Sequence, residues 1–270
     1  MKWYNKGFTR EDVIEEKNNM DRLIIATNDD GYYSEGLQRM IAVAEKYGRV
    51  LVVAPDREVS GVGHSLTLRN IIRMRKVKAY HYIVEGNPCD CINMAIWYLV
   101  EQMKPALVLS GINNGWNVGE DALYSGTVAG AMEGALHYIP SVAISCKNNN
   151  KEMLDIASKV VDQIVSAVFR NGMPRRTFLN VNVPDASVKG YKITVLSAKK
   201  HKNIVIKRLD PRDEEYYWLA RAEPDYHLNE SSDISALKEG YISITPLKID
   251  ITDYDAITEL SKWELDYFSK

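Results

Sequence analysis

The chain has 270 residues, 46% hydrophobic and 26% charged, which suits one large domain, or a core with a smaller appendage, and is ample to bury an interior. Thirty-four basic residues against 36 acidic ones leave a net charge of −2, so no global field draws in nucleic acid or an anionic membrane, and neither is expected as a stable partner. The three cysteines, Cys89, Cys91 and Cys146, are an odd number without C-x-x-C spacing, which argues against a disulfide framework or a zinc site and fits a reducing compartment.

Residues 1–20 are charged throughout and lack the apolar centre of a signal peptide, and no later run is long enough to span a bilayer, so a cytoplasmic location is expected. The first twenty residues read as an extension outside the core, with a helix start at Thr9-Arg10-Glu11-Asp12. Leu23–Thr27 is short and apolar, as a buried parallel strand should be, and runs into Asn28, two adjacent acids and Gly31. Within a strand, Asp29 and Asp30 would point to opposite faces; they converge only if the backbone turns there, and Gly31 permits such a turn. Converged carboxylates repel unless one is protonated or a cation lies between them, and a hard divalent ion at a strand's carboxyl end satisfies that condition. The competing account has one acid capping the next helix and the other in solvent.

Ser34 is positioned to cap a helix whose apolar face is Leu37, Met40, Ile41 and Ala44, with Val50–Ala54 following as the second strand of a βαβ unit. The loop from Pro55 to Leu68 carries Ser60, a hydroxyl oxygen donor, with Gly61 and Gly63, where backbone amides can approach a ligand, and His64, which can carry a proton near neutral pH. Arg69–Arg75 and Ala79–Val84 read as strands, and Pro88 or Asp90 opens a helix through Ile92, Ala95, Ile96 and Leu99. Pro105–Ser110 is a further buried strand, followed by a loop rich in glycine and asparagine in which Asn113 and Asn117 offer neutral amide oxygens suited to a hard cation, or serve as turn formers.

A helix is expected from Ser125, with Gly126 and Thr127 placing amides and a hydroxyl at its amino end, a natural phosphate seat as well as an ordinary cap. Ser141–Ser145 and Phe178–Val183 are strands flanking a helix at Met153–Phe169, and Phe178–Val183 reads as the last strand of the core. From Pro184 the pattern changes. Ile193–Leu196, Val205–Lys207 and Tyr241–Thr245 are strand-like, Asp210–Tyr226 is charged and aromatic like a hairpin or arm that another subunit would cover, and Ala256–Phe268 reads as a terminal helix. The expected architecture is therefore an α/β, Rossmann-like three-layer core with a mainly parallel sheet at 21–185 and a C-terminal arm with strands and a helix at 186–270.

Taken together, Asp29, Asp30, Ser60 and Asn113 stand on three loops at strand carboxyl ends and offer only oxygen, which favours Mg²⁺ or Mn²⁺ over zinc. A metal beside the Ser125-Gly126-Thr127 anion seat is the arrangement that phosphoryl transfer to water requires. At this point the chain resembles the SurE family of survival-protein nucleotidases. The matching stretches are Thr27-Asn28-Asp29-Asp30-Gly31, Val53-Ala54-Pro55-Asp56-Arg57, Ser60-Gly61, Ser65-Leu66-Thr67-Leu68, Ser110-Gly111-Ile112-Asn113 with Gly115 and Asn117, and Tyr124-Ser125-Gly126-Thr127-Val128 with Met132-Glu133-Gly134. Later matches are Asn180-Val181-Asn182-Val183-Pro184, Tyr216-Tyr217-Trp218 and Gly240-Tyr241-Ile242-Ser243.

The resemblance implies that Asp29, Asp30, Ser60 and Asn113 bind one metal ion per subunit. It also implies removal of phosphate from nucleoside 5′- or 3′-monophosphates, sometimes with action on short polyphosphate, by a dimer or tetramer joined through the C-terminal arm. In that reading Asn117, Ser125, Gly126, Thr127 and Gly61 steady the phosphate, Asp29 or Asp30 accepts a proton or attacks directly, and His64 is a candidate to protonate the leaving oxygen. A protein that holds a nucleotide without cleaving it, and a receiver-like signalling module, are the alternatives; the second needs a phosphoacceptor aspartate where this chain has Leu109-Ser110-Gly111. The chain departs from the family at Gly86-Asn87-Pro88-Cys89-Asp90-Cys91, which has Asn87 and Cys89 where threonine and then alanine or threonine are usual; the departure bears on loop geometry or substrate preference rather than on the reaction.

Overall fold

The computed structural model describes residues 22–100, 103–148, 150–185, 187–200, 203–221, 225–227 and 229–263. The helix start at Thr9–Asp12 and the end of the expected terminal helix lie outside them. Five strands, β1 (Leu23–Thr27), β2 (Arg49–Pro55), β5 (Pro105–Asn114), β6 (Ser141–Cys146) and β7 (Thr177–Val183), form the parallel centre of a nine-stranded sheet, and β4 (His81–Val84) continues it in parallel beyond β2. The antiparallel strand β3 (Met74–Lys78) closes one edge; β13 (Tyr241–Lys248) and β8 (Gly190–Ile193) close the other, giving the order β3-β4-β2-β1-β5-β6-β7-β13-β8.

Alternation along β1 divides the core. Ile24 and Ala26 join Val52, Leu109 and Ile144 on one face, beneath α1 (Glu35–Ala44) and α4 (Lys151–Asn171). Leu23 and Ile25 join Leu51, Val53 and Val108 on the other, beneath α2 (Pro88–Met94), with α3 (Gly126–Leu136) covering the neighbouring Ala143 and Phe178. Both faces are covered, which is why the central strands are mostly apolar on both faces, with buried polar residues such as Ser145, Asn180 and Asn182 among them.

Ser34 caps α1 by accepting from the Leu37 amide, and the expected face of Leu37, Met40, Ile41 and Ala44 is buried. Asn87 caps α2 in a reciprocal box with Asp90. α2 is shorter than the sequence suggested, because Ala95–Leu99 widens into a π turn.

Phe178–Val183 is not the last strand of the sheet. β13 pairs antiparallel with β7, from Ser243 opposite Asn182 to Lys248 opposite Thr177, and β8 then pairs with β13. Ile242 and Ile244 bury their side chains in the same core as β7, which is what draws this late strand onto the sheet. Outside the sheet, β10 (Asn203–Leu209) and β11 (Glu215–Arg221) form a hairpin that starts earlier than the Asp210–Tyr226 arm, because the strand expected at Val205–Lys207 is its first half. Its turn is built by Asp210, whose carboxylate accepts from the Arg212 and Glu214 amides. A second small pair, β9 (Ala198–Lys200) with β12 (Asp225–His227), precedes α5 (Asp233–Lys238), and α6 (Tyr254–Leu260) follows β13.

The amino end of α1 lies directly on β5: a Cβ at Gly36 would collide with the Ile112 carbonyl. Replacing Gly36 by Ala should therefore cost about 1–3 kcal/mol through overpacking. In urea unfolding the midpoint should fall with little change in slope, and an unchanged midpoint would mean that α1 can back away from β5.

Candidate active site

The sheet reverses its winding at β1, which has β2 on one side and β5 on the other, and ligands of open α/β sheets sit outside such a switch point at the strands' carboxyl ends. Asp29 and Asp30 follow β1, Ser60 and Gly61 follow β2, and Asn113 belongs to the end of β5, which continues through the segment expected to be loop. A cavity of about 190 Å³ opens there, lined by Asp29, Ser60, Gly61, Asn113, Asn117 and Ser125 together with Trp116, Asp121 and Tyr124. Backbone bonds knit the loops together: the Val59 amide donates to the Asp29 carbonyl at 2.8 Å, and the Gly63 amide to the Tyr124 carbonyl at 3.0 Å.

Asp29 is buried, only 4% exposed, against the amino end of α3. Thr127 Oγ1 donates to Asp29 Oδ1, and a Cβ at Gly126 would lie 2.8 Å from the Asp29 Cβ and 2.9 Å from its Oδ2. Gly126 is thus glycine so that the carboxylate can lie on the helix end, where the dipole favours negative charge. Gly126 and Thr127, expected at a phosphate, here hold Asp29, while Ser125 caps α3 by accepting from the Val128 amide and also lines the cavity.

Asp30 accepts from the Asn114 amide at 3.2 Å and so ties the β1 turn to the end of β5. Burial raises the Asp29 carboxyl above its ordinary value despite the bonds from Thr127. Burial and the charge of Asp29 push Asp30 up to about 6, and Glu58 adds negative charge to both. Glu58 also accepts from Ser60 Oγ at 2.8 Å. Asn113 commits its Nδ2 to the Gly115 carbonyl at 2.8 Å, which leaves its Oδ1 as the atom to present to a ligand. Crowded acids with unbalanced charge, a hydroxyl and an amide oxygen form a donor set that fits a hard divalent cation.

Asn117 lines the cavity through a network the sequence did not reveal. Its amide donates to Asn182 Oδ1 at 2.8 Å, its carbonyl accepts from Asn180 and Asn182, and its Nδ2 donates to Ser145 Oγ at 2.9 Å. Asp233, fully buried at the start of α5, accepts from the Gly119 amide at 2.7 Å and from Ser197, and so anchors the same loop from the C-terminal side. Polar residues in a run of buried apolar strand, such as Asn180 and Asn182 in β7, were the signal available for this.

His64 does not line the cavity. Its Nε2 lies 2.7 Å from Glu133 Oε2, and Asn93 donates to the other oxygen of Glu133 at 2.8 Å.

Fold and site together define a Rossmann-like α/β protein with an oxygen-lined ligand site at its topological switch point. The chain belongs to the SurE family: the family model described as Survival protein SurE matches residues 24–203. It is 42% identical over 244 residues to the 5′-nucleotidase SurE of Aquifex aeolicus, a match covering 89% of this chain and 97% of that protein. With the 5′-nucleotidase SurE of Geotalea uraniireducens it shares 40% identity over 246 residues, covering 90% and 99%. The crystal structure of the SurE protein from Aquifex aeolicus superposes with a TM-score of 0.79, covering 88% of this chain and 98% of that one.

The raised carboxyl of Asp30 makes a signed prediction. A folded pKa of about 6 above an unfolded value of 3.8 means that the stability Asp30 contributes is complete below pH 3.8 and lost as pH rises through 6. With chelator present, Asp30→Asn should therefore be more stable than the parent at pH 7.5, by about 1–2 kcal/mol after allowance for solvent screening. Below about pH 4 the advantage should vanish. Urea unfolding at several pH values checks this, and a parent more stable than the variant at pH 7.5 would contradict it.

Proposed function

We propose that this protein is a metal-dependent phosphomonoesterase that hydrolyses nucleoside 5′-monophosphates, and 3′-monophosphates as a second substrate class, to nucleoside and phosphate. The observation that carries the reading is the placement of Asp29, Asp30, Ser60 and Asn113 around one switch point, with Asp29 laid on the amino end of α3. The printed names of the relatives, 5′-nucleotidase SurE, support the substrate class.

In this reading Asp29, Asp30, Ser60 and Asn113 hold one Mg²⁺ or Mn²⁺. When bound, the cation supplies charge neutralisation at the phosphate and makes a water acidic enough to attack. The residues of the chain do the rest. Thr127 fixes Asp29 Oδ1 by its hydroxyl, leaving Oδ2 beside the α3 end as the oxygen of that carboxylate not held by Thr127. Asn114 fixes Asp30 by its backbone amide, so both acids are held in place, one of them to accept the proton of the attacking water. Asn117, Ser125 and the Gly61 backbone line the cavity where the phosphate enters. His64 is committed to Glu133, and no proton transfer is assigned to it. The cavity takes the phosphate end of the substrate; the nucleoside extends past Tyr124 and Trp116 at its rim.

Phosphate release from AMP and from a 3′-monophosphate, measured with chelator and after adding back Mg²⁺ or Mn²⁺, tests the activity. Chelation should abolish release and the metal should restore it. Asp29→Asn should lower kcat by about 10²-fold or more in a protein that still unfolds cooperatively in urea, and a near-normal rate would remove Asp29 from the reaction.

The second part of the reading concerns assembly. Among the described residues no helix is long and apolar enough to cross a membrane. Apolar side chains are exposed on the β10–β11 hairpin and call for cover. Tyr217, Trp218 and Leu219 are each more than half exposed there. We assign this hairpin to a dimer or tetramer contact. Replacing Trp218 and Leu219 together by Asp should lower the mass seen by size-exclusion with light scattering to that of a monomer, and an unchanged mass would place the contact elsewhere.

A further inference from the structure

About Glu133, seven residues after Gly126 on α3, three elements contribute donors of a second kind. His64 comes from the loop after β2, Cys89 from the first turn of α2 and Glu133 from α3. Their ligand atoms, an imidazole nitrogen, the Sγ and a carboxylate oxygen, all lie within 4.8 Å of one another. A tetrahedral zinc ion with its usual bond lengths needs such atoms about 3.3–3.6 Å apart, so closing the set takes a movement of about an ångström. Glu133 and Cys89 are buried, whereas His64 is on a loop with its side chain 31% exposed and is held at its Nε2 by Glu133, so the loop must shift and that bond give way.

Outer partners are already in place. Asn93 donates to Glu133 Oε1 at 2.8 Å, as second-shell groups do for a ligating carboxylate. His137 Nε2 stands 3.3 Å from the same oxygen and is buried without a hydrogen-bond partner, a further imidazole nitrogen directed at this carboxylate.

We propose that His64, Cys89 and Glu133 bind a borderline-soft divalent cation of the zinc type, at a site separate from the oxygen donors around Asp29. Sulfur, imidazole and carboxylate on one ion select zinc over magnesium, whereas the donors around Asp29 select the reverse. Binding forms a metal–sulfur bond, expels the Sγ proton to solvent and replaces the His64 Nε2–Glu133 Oε2 hydrogen bond, whose proton passes to His64 Nδ1 or to solvent. Its consequence is mechanical. His64 is four residues from Ser60, and Thr67 on the same loop is already held by Asp90 on α2 through its amide at 2.8 Å and its hydroxyl at 2.7 Å. His64 already ties this loop to Glu133 of α3, and a metal bond shared with Cys89 would tie the same residue to α2 as well.

Co²⁺ titration of the full chain after chelator treatment and dialysis tests the proposal. The wild type should develop a near-ultraviolet thiolate-to-cobalt charge-transfer band that saturates at one equivalent, is displaced by Zn²⁺ and persists in Asp29→Asn. Cys89→Ala should lose the band, and both it and His64→Asn should bind Zn²⁺ at least tenfold more weakly in competition with a chromogenic chelator. Zn²⁺ should raise the urea midpoint of the wild type and not that of Cys89→Ala, a comparison that stands even if the variant is less stable from the outset. A wild-type spectrum without the thiolate band would overturn the proposal. So would the same band in Cys89→Ala, or an equal Zn²⁺-dependent shift in both proteins.

Discussion

The structure of the site depends on how one carboxylate is accommodated. Asp29 carries negative charge into a place from which water is largely removed, and its burial raises the carboxyl accordingly. Three features oppose that cost: the hydroxyl of Thr127, the amino end of α3, and the missing side chain at Gly126 that lets the acid reach both. β1 and α3 are far apart in sequence, so this contact fixes the distance between the sheet and a helix that covers it. The same carboxylate then sets the charge felt by Asp30, whose own carboxyl is pushed up in part by its neighbour.

The rest of the polar structure holds loops in relation to that point. Asp30 and Asn114 join the β1 turn to β5, while Val59 binds the loop after β2 to the Asp29 carbonyl. Asn180 and Asn182 of β7 reach across the sheet to the backbone of Asn117, and Asp233 holds Gly119 from beyond the sheet's edge. These are buried groups with their hydrogen-bonding capacity directed at loop backbone. Losing any one strands a partner in a dry setting, a larger penalty than the net worth of the bond itself. The C-terminal region is therefore no appendage to the site. β13 extends the sheet that carries it, and α5 supplies one of its anchors.

The two polar clusters differ in the hardness of their donors. Around Asp29 every candidate donor is oxygen, and charge is in surplus. About Glu133 the donors are mixed, and the charge is shared: burial alone would raise that carboxyl, but hydrogen bonds from His64 and Asn93 and the charges of the two nearby histidines hold it below its ordinary value. The clusters are linked by covalent continuity, since the loop that carries Ser60 also carries His64, and the helix that receives Asp29 also carries Glu133.

The sequence by itself determined the central strands, the cap at Ser34, the apolar face of α1 and the candidate oxygen donors, because each is a local matter of periodicity, turn chemistry or donor type. It also carried the motifs by which the chain resembles its family. Only the tertiary structure decided what the side chains at those positions meet. Gly126 and Thr127 are the letters of a phosphate seat, yet in space they receive Asp29; His64 stands four residues from Ser60 but turns to Glu133; and β13, last in the chain among the strands, lies beside β7. Such pairings join residues tens of positions apart, and no local pattern encodes them. They follow from which buried charge finds a donor and which apolar face finds cover when the whole chain closes.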